Sequence, residues 1–203
     1  MMGPIYAVTD PDATPTVIAQ AMAAARGGAW AVQLRDKRAS DADLVGLARD
    51  LLGVLRPLGV KLVINDRLNV ACATDADGLH IGQGDGDPAR ARARLGPDKL
   101  LGLSVETLAQ GGVVPDCVDY IGIGPVRATA TKPDHAAPVG MDGLAAIIAQ
   151  SGIPAFAIGG LGPGDARAIK AAGAVGMAVV SAIIRAADPE AATRALCEEW
   201  EKA

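Results

Sequence analysis

The chain is poor in aromatic residues, with two Trp, two Tyr and one Phe among 203 residues. Ala, Val, Leu and Ile must then fill the interior, and a hydrophobic content of 50% is enough for one full core. Histidine occurs only twice, and the three cysteines (Cys72, Cys117, Cys197) show no CxxC spacing. That scarcity argues against a zinc or iron centre. Any disulfide scheme leaves one cysteine over, which points to small buried thiols in a reducing compartment. Basic charge is not in excess: a net charge of -4 lacks the basic face that nucleic-acid binding needs. No apolar run approaches the ~20 residues of a membrane span. Met1 leads into Ile5-Tyr6-Ala7-Val8 without a basic leader. These absences describe a cytoplasmic protein with neither nucleic acid nor membrane as partner. An anionic small molecule stays compatible, because a local cluster of cations and backbone amides is enough to hold it.

What is present is alternation. Short apolar, strand-like runs occupy 5–8, 31–34, 61–64, 78–81, 100–104, 120–123, 155–158 and 176–180, with Ala- and Leu-rich stretches between them. Thr14-Pro15, Asp87-Pro88 and Asp188-Pro189 each set a capping residue before a proline suited to the first helical position. Ser40 with Asp43 resembles a capping box in which Asp replaces Glu or Gln. Gly27-Gly28, Gly59 and Gly173 stand where helices should stop. Eight such βα units predict a single (β/α)8 TIM barrel over 1–203, with lean loops for a fold that begins near ~200 residues. A doubly wound open sheet would alternate too, but Thr9-Asp10-Pro11-Asp12 lacks its glycine-rich phosphate turn. No linker or low-complexity tract interrupts the pattern.

Polar residues gather where the runs end. Val63-Ile64 exits into Asn65-Asp66-Arg67, Leu79-His80-Ile81-Gly82-Gln83 leads to Asp85, and Gln33-Leu34-Arg35 leads to Asp36 and Lys37. A buried strand has no structural need of an amide, a carboxylate and a cation at its exit, whereas a barrel builds its active site there. Strand parity groups Gln33 with Arg35, Lys61 with Val63 and Asn65, and Gly102 with Ser104. Asp66 and Asp85 follow neighbouring strands, which lie about 4.8 Å apart, so their carboxylates can converge to share a proton or a cation. Hard oxygen ligands beside Lys and Arg favour Mg²⁺ carrying a diphosphate. The competing role for Asp66 is a helix cap before Arg67-Leu68-Asn69-Val70.

Two further segments matter. The loop after the sixth run, Gly124-Pro125-Val126-Arg127-Ala128-Thr129-Ala130-Thr131-Lys132-Pro133-Asp134-His135, is long and polar, as functional loops are. Arg127 and His135 read as its surface. Ile158-Gly159-Gly160-Leu161-Gly162 and Val179-Val180-Ser181 follow the last two runs, where barrels bind phosphate on backbone N–H groups. A plain tight turn would explain the Gly-Gly pair alone. Taken together the exits form a pocket for two anionic ligands, one held by a cation cluster and one by backbone amides.

In this order, the segments make the chain resemble the thiamine-phosphate synthase family over essentially its full length. The matching pieces are Gln33 to Lys37, Asn65-Asp66-Arg67, Gly78 to Gln83 with Asp85, Gly122 to Pro125 through Thr129-Ala130-Thr131-Lys132-Pro133, Ile158-Gly159-Gly160 and Val180-Ser181. The resemblance implies a barrel that joins hydroxymethylpyrimidine diphosphate to a carboxylated thiazole phosphate. It implies thiamine phosphate, diphosphate and carbon dioxide as products. By the same resemblance, Asp66 and Asp85 bind Mg²⁺. Gln33, Leu34, Arg35, Asp36, Lys37, Asn65, Ser104 and Lys132 contact the pyrimidine diphosphate, with Arg35, Lys37, Ser104 and Lys132 serving catalysis. Thr129, Thr131, Gly160, Val180 and Ser181 hold the thiazole phosphate, with Ala130 in the same loop.

Two departures from the family pattern are small: Asp36 stands where Glu is usual, and Val175 where Asp is. Three other functions fit parts of the pattern. A thiazole tautomerase of the same descent would not need the diphosphate and metal cluster. A sugar-phosphate isomerase or aldolase would need a dedicated acid-base pair or an inward Schiff-base lysine, and Lys61 lies at the wrong end of its strand. A catalytically silent binder of phosphorylated metabolites would bind without turnover. Ala- and Leu-rich helix faces leave the oligomeric state open.

Overall fold

The computed structural model describes residues 2–129 and 136–203. Eight strands run in parallel: β1 (Ile5–Val8), β2 (Ala31–Leu34), β3 (Lys61–Asn65), β4 (Gly78–Ile81), β5 (Leu100–Val105), β6 (Tyr120–Ile123), β7 (Ala155–Ile158) and β8 (Gly176–Val179). They pair in sequence order, and β8 returns to β1 to close a barrel, which excludes the open sheet. Each observed end falls within one residue of the apolar run that predicts it.

The connecting helices are α1 (Val17–Arg26), α2 (Asp41–Leu55), α3 (Leu68–Thr74), α4 (Pro88–Leu95), α5 (Leu108–Gly111), α6 (Gly140–Ser151), α7 (Ala166–Ala171), α8 (Ser181–Ile184) and α9 (Pro189–Lys202). Asp87 and Asp188 cap α4 and α9 ahead of their prolines, accepting from Ala89 and Ala191 N–H. Ser40 caps α2 by accepting from Asp43 N–H at 3.2 Å, while its hydroxyl donates to the Asp43 carboxylate. Thr14 does not cap α1. The helix starts later, Thr16 takes the cap, and the Pro15 carbonyl is used instead by the buried Gln20 amide at 2.8 Å.

Side-chain alternation along the strands divides the interior into two cores. Outward-facing Val32, Leu34, Leu62, Ile64, Leu79, Leu101, Ile121 and Met177 pack under the helices in an aliphatic shell. The barrel lumen differs from the sequence expectation that aliphatics fill the whole interior. Four of the five aromatics, Tyr6, Trp30, Tyr120 and Phe156, meet there, with Trp30 stacked on Phe156 at 5.3 Å and both tyrosines edge-on to it. Glycine makes the room: a Cβ on Gly102 would collide with the Tyr120 and His80 rings, and one on Gly176 with Phe156. A barrel this narrow fills with a few large rings, each set against a glycine that is its register partner on the neighbouring strand. The cysteines are also less buried than expected, since Cys72 is exposed and Cys117 and Cys197 are half-buried. Among the described residues, no helix is long and apolar enough to cross a membrane.

Candidate active site

A cavity of about 420 Å³ opens at the carboxyl ends of the strands. Gln33, Arg35, Asp36, Lys37, Asn65, Asp66, Asp85, Ser104, Thr129, Gly160, Val180 and Ser181, all singled out in the sequence, line it. Leu34 does not. Gln33 takes the inward parity of β2, so the Leu34 side chain is driven outward and buried in the aliphatic shell. Ala130, Thr131, Lys132 and His135 lie outside the described residues. Among the described residues, Lys37 is the one lysine lining the cavity. Lys61 is exposed and pairs with Asp77, which removes it as a Schiff-base candidate.

Asp66 does not cap α3: Arg67 stands at the cap position, without a side-chain bond. Asp66 instead adopts a left-handed backbone, φ 60°, an uncommon state for a residue with a side chain. Its N–H donates to the His80 carbonyl, so β4 anchors the turn. The turn brings its carboxylate into hydrogen-bonding contact with Asp85, itself held by the Gly82 N–H at 2.7 Å. Burial and then the Asp85 bond and charge raise the Asp66 pKa, against the pull of Lys37, whose Nζ lies 3.5 Å away. Burial opposes ionisation of Asp85 too, but the Asp66 bond, the Gly82 N–H and Lys37 together hold it low. Two carboxylates held this close repel each other, a cost that a divalent cation would remove. Two hard oxygen donors beside open cavity suit Mg²⁺, which takes one or two carboxylates and fills the rest of its shell with water and substrate phosphate.

Ion pairs between loops hold the rim. Asp36 accepts from the Arg38 and Ala39 N–H groups and so folds the turn that presents Lys37. Arg67 reaches back to the Lys37 carbonyl and to Asp41. Asp10, buried at the end of β1, pairs with Arg185 at 2.8 Å. Arg127, which the sequence leaves as loop surface, grips Asp165 through two bonds of 2.7 and 2.8 Å. Asp165 also accepts from Gly162 N–H. Burial resists the charge on Asp165, but Arg127 holds its pKa low. The pair locks the β7 loop, where Gly159 and Gly160 turn with φ 99° and 66°. A Cβ at Gly160 would sit 2.9 Å from the Ala128 carbonyl, so both backbone angle and close approach require glycine.

The polar floor of the cavity escapes a reading limited to strand exits. Tyr6, His80 and Tyr120 lie in the middle or at the start of their strands, yet all three line the cavity. The available signal was parity, because His80 shares the inward row with Gly78, and Tyr120 with Gly122. His80 is buried, and burial pushes its pKa down to about 4, so the ring is neutral at pH 7.

Closed parallel barrel, carboxylate pair, adjoining cations and glycine turn together define a (β/α)8 barrel with the site of an enzyme acting on small molecules. Comparison with known proteins narrows the class. The family model of thiamine monophosphate synthase matches residues 5–183. A thiamine-phosphate synthase of Xanthobacter autotrophicus is 49% identical over 195 residues, 95% of this chain and 92% of that protein. One of Azorhizobium caulinodans is 46% identical over 95% of this chain and 92% of its own length. The solved thiamine phosphate pyrophosphorylase of Pyrococcus furiosus superposes with a TM-score of 0.89 at 32% identity, covering 98% of this chain and 96% of that one. A 3-hexulose-6-phosphate synthase, at 15% identity and a TM-score of 0.72, shares the fold. The chain belongs to the thiamine monophosphate synthase family, whose members are transferases of thiamine biosynthesis.

Proposed function

We propose that this chain, acting as one barrel domain in the cytoplasm, couples hydroxymethylpyrimidine diphosphate to a carboxylated thiazole phosphate with the aid of Mg²⁺. The observation that carries the proposal is the meeting of Asp66, Asp85, Lys37 and Arg35 with the Gly159-Gly160 turn and Ser181 in one cavity. A thiazole tautomerase has no use for the first of these groups. The three free cysteines accord with a reducing compartment.

Asp66 and Asp85 would hold the metal. Bound there, Mg²⁺ supplies electrostatic stabilisation to a departing diphosphate. Arg35, Lys37 and Lys132 add fixed positive charge as the pyrimidine CH₂–O bond breaks and its electron pair leaves with the diphosphate. The residual cation is delocalised into the amino-substituted ring, which Gln33 and Ser104 orient, with Asn65 at the diphosphate side. Thr129, Thr131, Gly160, Val180 and Ser181 hold the thiazole phosphate so that the thiazole attacks the cation and then loses its carboxylate as carbon dioxide. The reaction calls for no covalent nucleophile.

The test mixes purified protein with both substrates and Mg²⁺, with an EDTA control, and follows thiamine phosphate and diphosphate together. Equal appearance of both products, abolished by EDTA, is the expected result. Neither product from folded protein would overturn the assignment, and turnover unaffected by EDTA would overturn the metal. A second expectation concerns Arg127. Arg127→Ala frees the β7 turn without touching the cavity, so KM for the thiazole phosphate should rise about tenfold or more. KM for the pyrimidine diphosphate should stay near wild type. Equal changes in both would show that Arg127 does not act through the phosphate turn.

A further inference from the structure

Five side chains from five strands are joined end to end across the floor of the cavity. Gln33 Nε2 donates to Tyr6 Oη at 2.8 Å, and Tyr6 Oη lies 3.1 Å from Tyr120 Oη. Tyr120 Oη is 3.2 Å from His80 Nδ1, and His80 Nε2 is 3.0 Å from Ser104 Oγ. The inner three are buried, and the two ends, Gln33 and Ser104, both line the cavity.

Proton counting sets the order. A tyrosine hydroxyl carries one proton, and a neutral imidazole has one N–H and one bare nitrogen. Because Gln33 donates to Tyr6, Tyr6 must spend its proton on Tyr120, and Tyr120 must spend its own on Nδ1. The imidazole proton then sits on Nε2 and points to Ser104 Oγ, so the Ser104 proton is left for a ligand. At the other end, the Gln33 amide has turned its nitrogen to Tyr6, leaving its carbonyl oxygen for the ligand. Burial raises the pKa of both tyrosines and lowers that of His80, which keeps every member neutral. Reversing one end requires rotating the amide, moving every proton and switching the imidazole tautomer. The two ends are therefore read as one pattern: an acceptor at Gln33 and a donor at Ser104.

We infer that Tyr6, Tyr120 and His80 are positioning residues that fix this pattern and thereby select a ring bearing an amino donor and a ring-nitrogen acceptor over its oxo analogue. The assignment rests on the aminopyrimidine diphosphate reading of the cavity. An oxo-pyrimidine presents the opposite pattern, a carbonyl acceptor beside a ring N–H donor, and meets like with like at both ends. A site that discriminates through buried polar groups left unpaired rejects the wrong ring far more strongly than shape alone.

The relay is testable without turnover. With only two histidines in the chain, ¹⁵N-histidine NMR shows two rings, assigned with His135→Gln. In the ligand-free wild-type protein at pH 7, His80 should be a single neutral tautomer protonated on Nε2. Tyr120→Phe removes one oxygen and keeps the ring, so a purely packing role would leave both readouts unmoved. It should instead give mixed His80 tautomers. It should also reduce the binding preference for the amino- over the oxo-pyrimidine diphosphate by at least about tenfold, read by calorimetry. Tyr6→Phe, which releases the Gln33 end, should lose preference likewise and serves if Tyr120→Phe does not fold. An Nδ1–H tautomer or an imidazolium in wild type would overturn the relay, as would unchanged preference in both variants. Failure of wild-type protein to make thiamine phosphate would overturn the substrate reading instead, whatever the NMR shows.

Discussion

Asp66→Ala is expected to lower turnover by about 10² or more, in line with the removal of one electrostatic stabiliser. The variant should still fold. Asp66 lies in a loop turn at the cavity, and its deletion relieves the burial and carboxylate repulsion that raise its pKa. Against that gain stands the left-handed backbone at φ 60°, which alanine tolerates less well than aspartate or asparagine. Asp66→Asn separates the two effects, because it keeps the backbone preference and the volume and removes only the charge. Its turnover should fall as well, and the Mg²⁺ concentration needed for half-maximal rate should rise. Steady-state rates across a Mg²⁺ series, with circular dichroism to establish folding, make the check. A folded variant with unimpaired turnover at every Mg²⁺ concentration would sink the metal role of Asp66.

Gly102→Ala should be strongly damaging for so small a change. Its Cβ would meet His80 Nδ1 at 2.5 Å and the Tyr120 ring more closely still. Both are rigid rings packed in the lumen, not flexible chain ends, so neither can swing aside. Overpacking of this kind costs about 1–3 kcal/mol. For a chain of this length, that corresponds to a fall in Tm of roughly 2–4 °C per kcal/mol. Turnover should fall with it, because the intruding methyl displaces the two groups that connect to Ser104. Gly46→Ala is the informative contrast. Gly46 is exposed in the middle of α2, with nothing within 4 Å of a Cβ, and should gain about 0.5–1 kcal/mol from helix propensity. Urea or thermal unfolding of the two variants beside wild type decides it. Equal stability for Gly102→Ala would mean that the lumen yields where its packing says it cannot.

The contrast between these glycines shows where a sequence stops being informative. Gly46 and Gly102 are the same residue, one in a helical stretch and one in an apolar run, and nothing local says that one is replaceable and the other is not. What the chain determines by itself is what short-range physics controls. Apolar runs of strand length separated by capped helical stretches specified eight βα units to within one residue at each strand end. Strand parity then put Gln33, Asn65 and Ser104 on the inward face, and it would have put Leu34 outside had parity been applied to every residue of the Gln33-to-Lys37 segment. Polar residues at the exits of β2, β3 and β5 were visible for the same reason, since a buried strand has no other use for them. Closure of the barrel decided the rest. It set Tyr6, Tyr120 and His80, 114 and 40 residues apart along the chain, within hydrogen-bonding distance of one another. It also made Arg127 and Asp165 one clamp across two loops. Hydrogen bonds and ion pairs depend on ångström distances between groups far apart in the chain, and those distances exist only once eight strands share one axis.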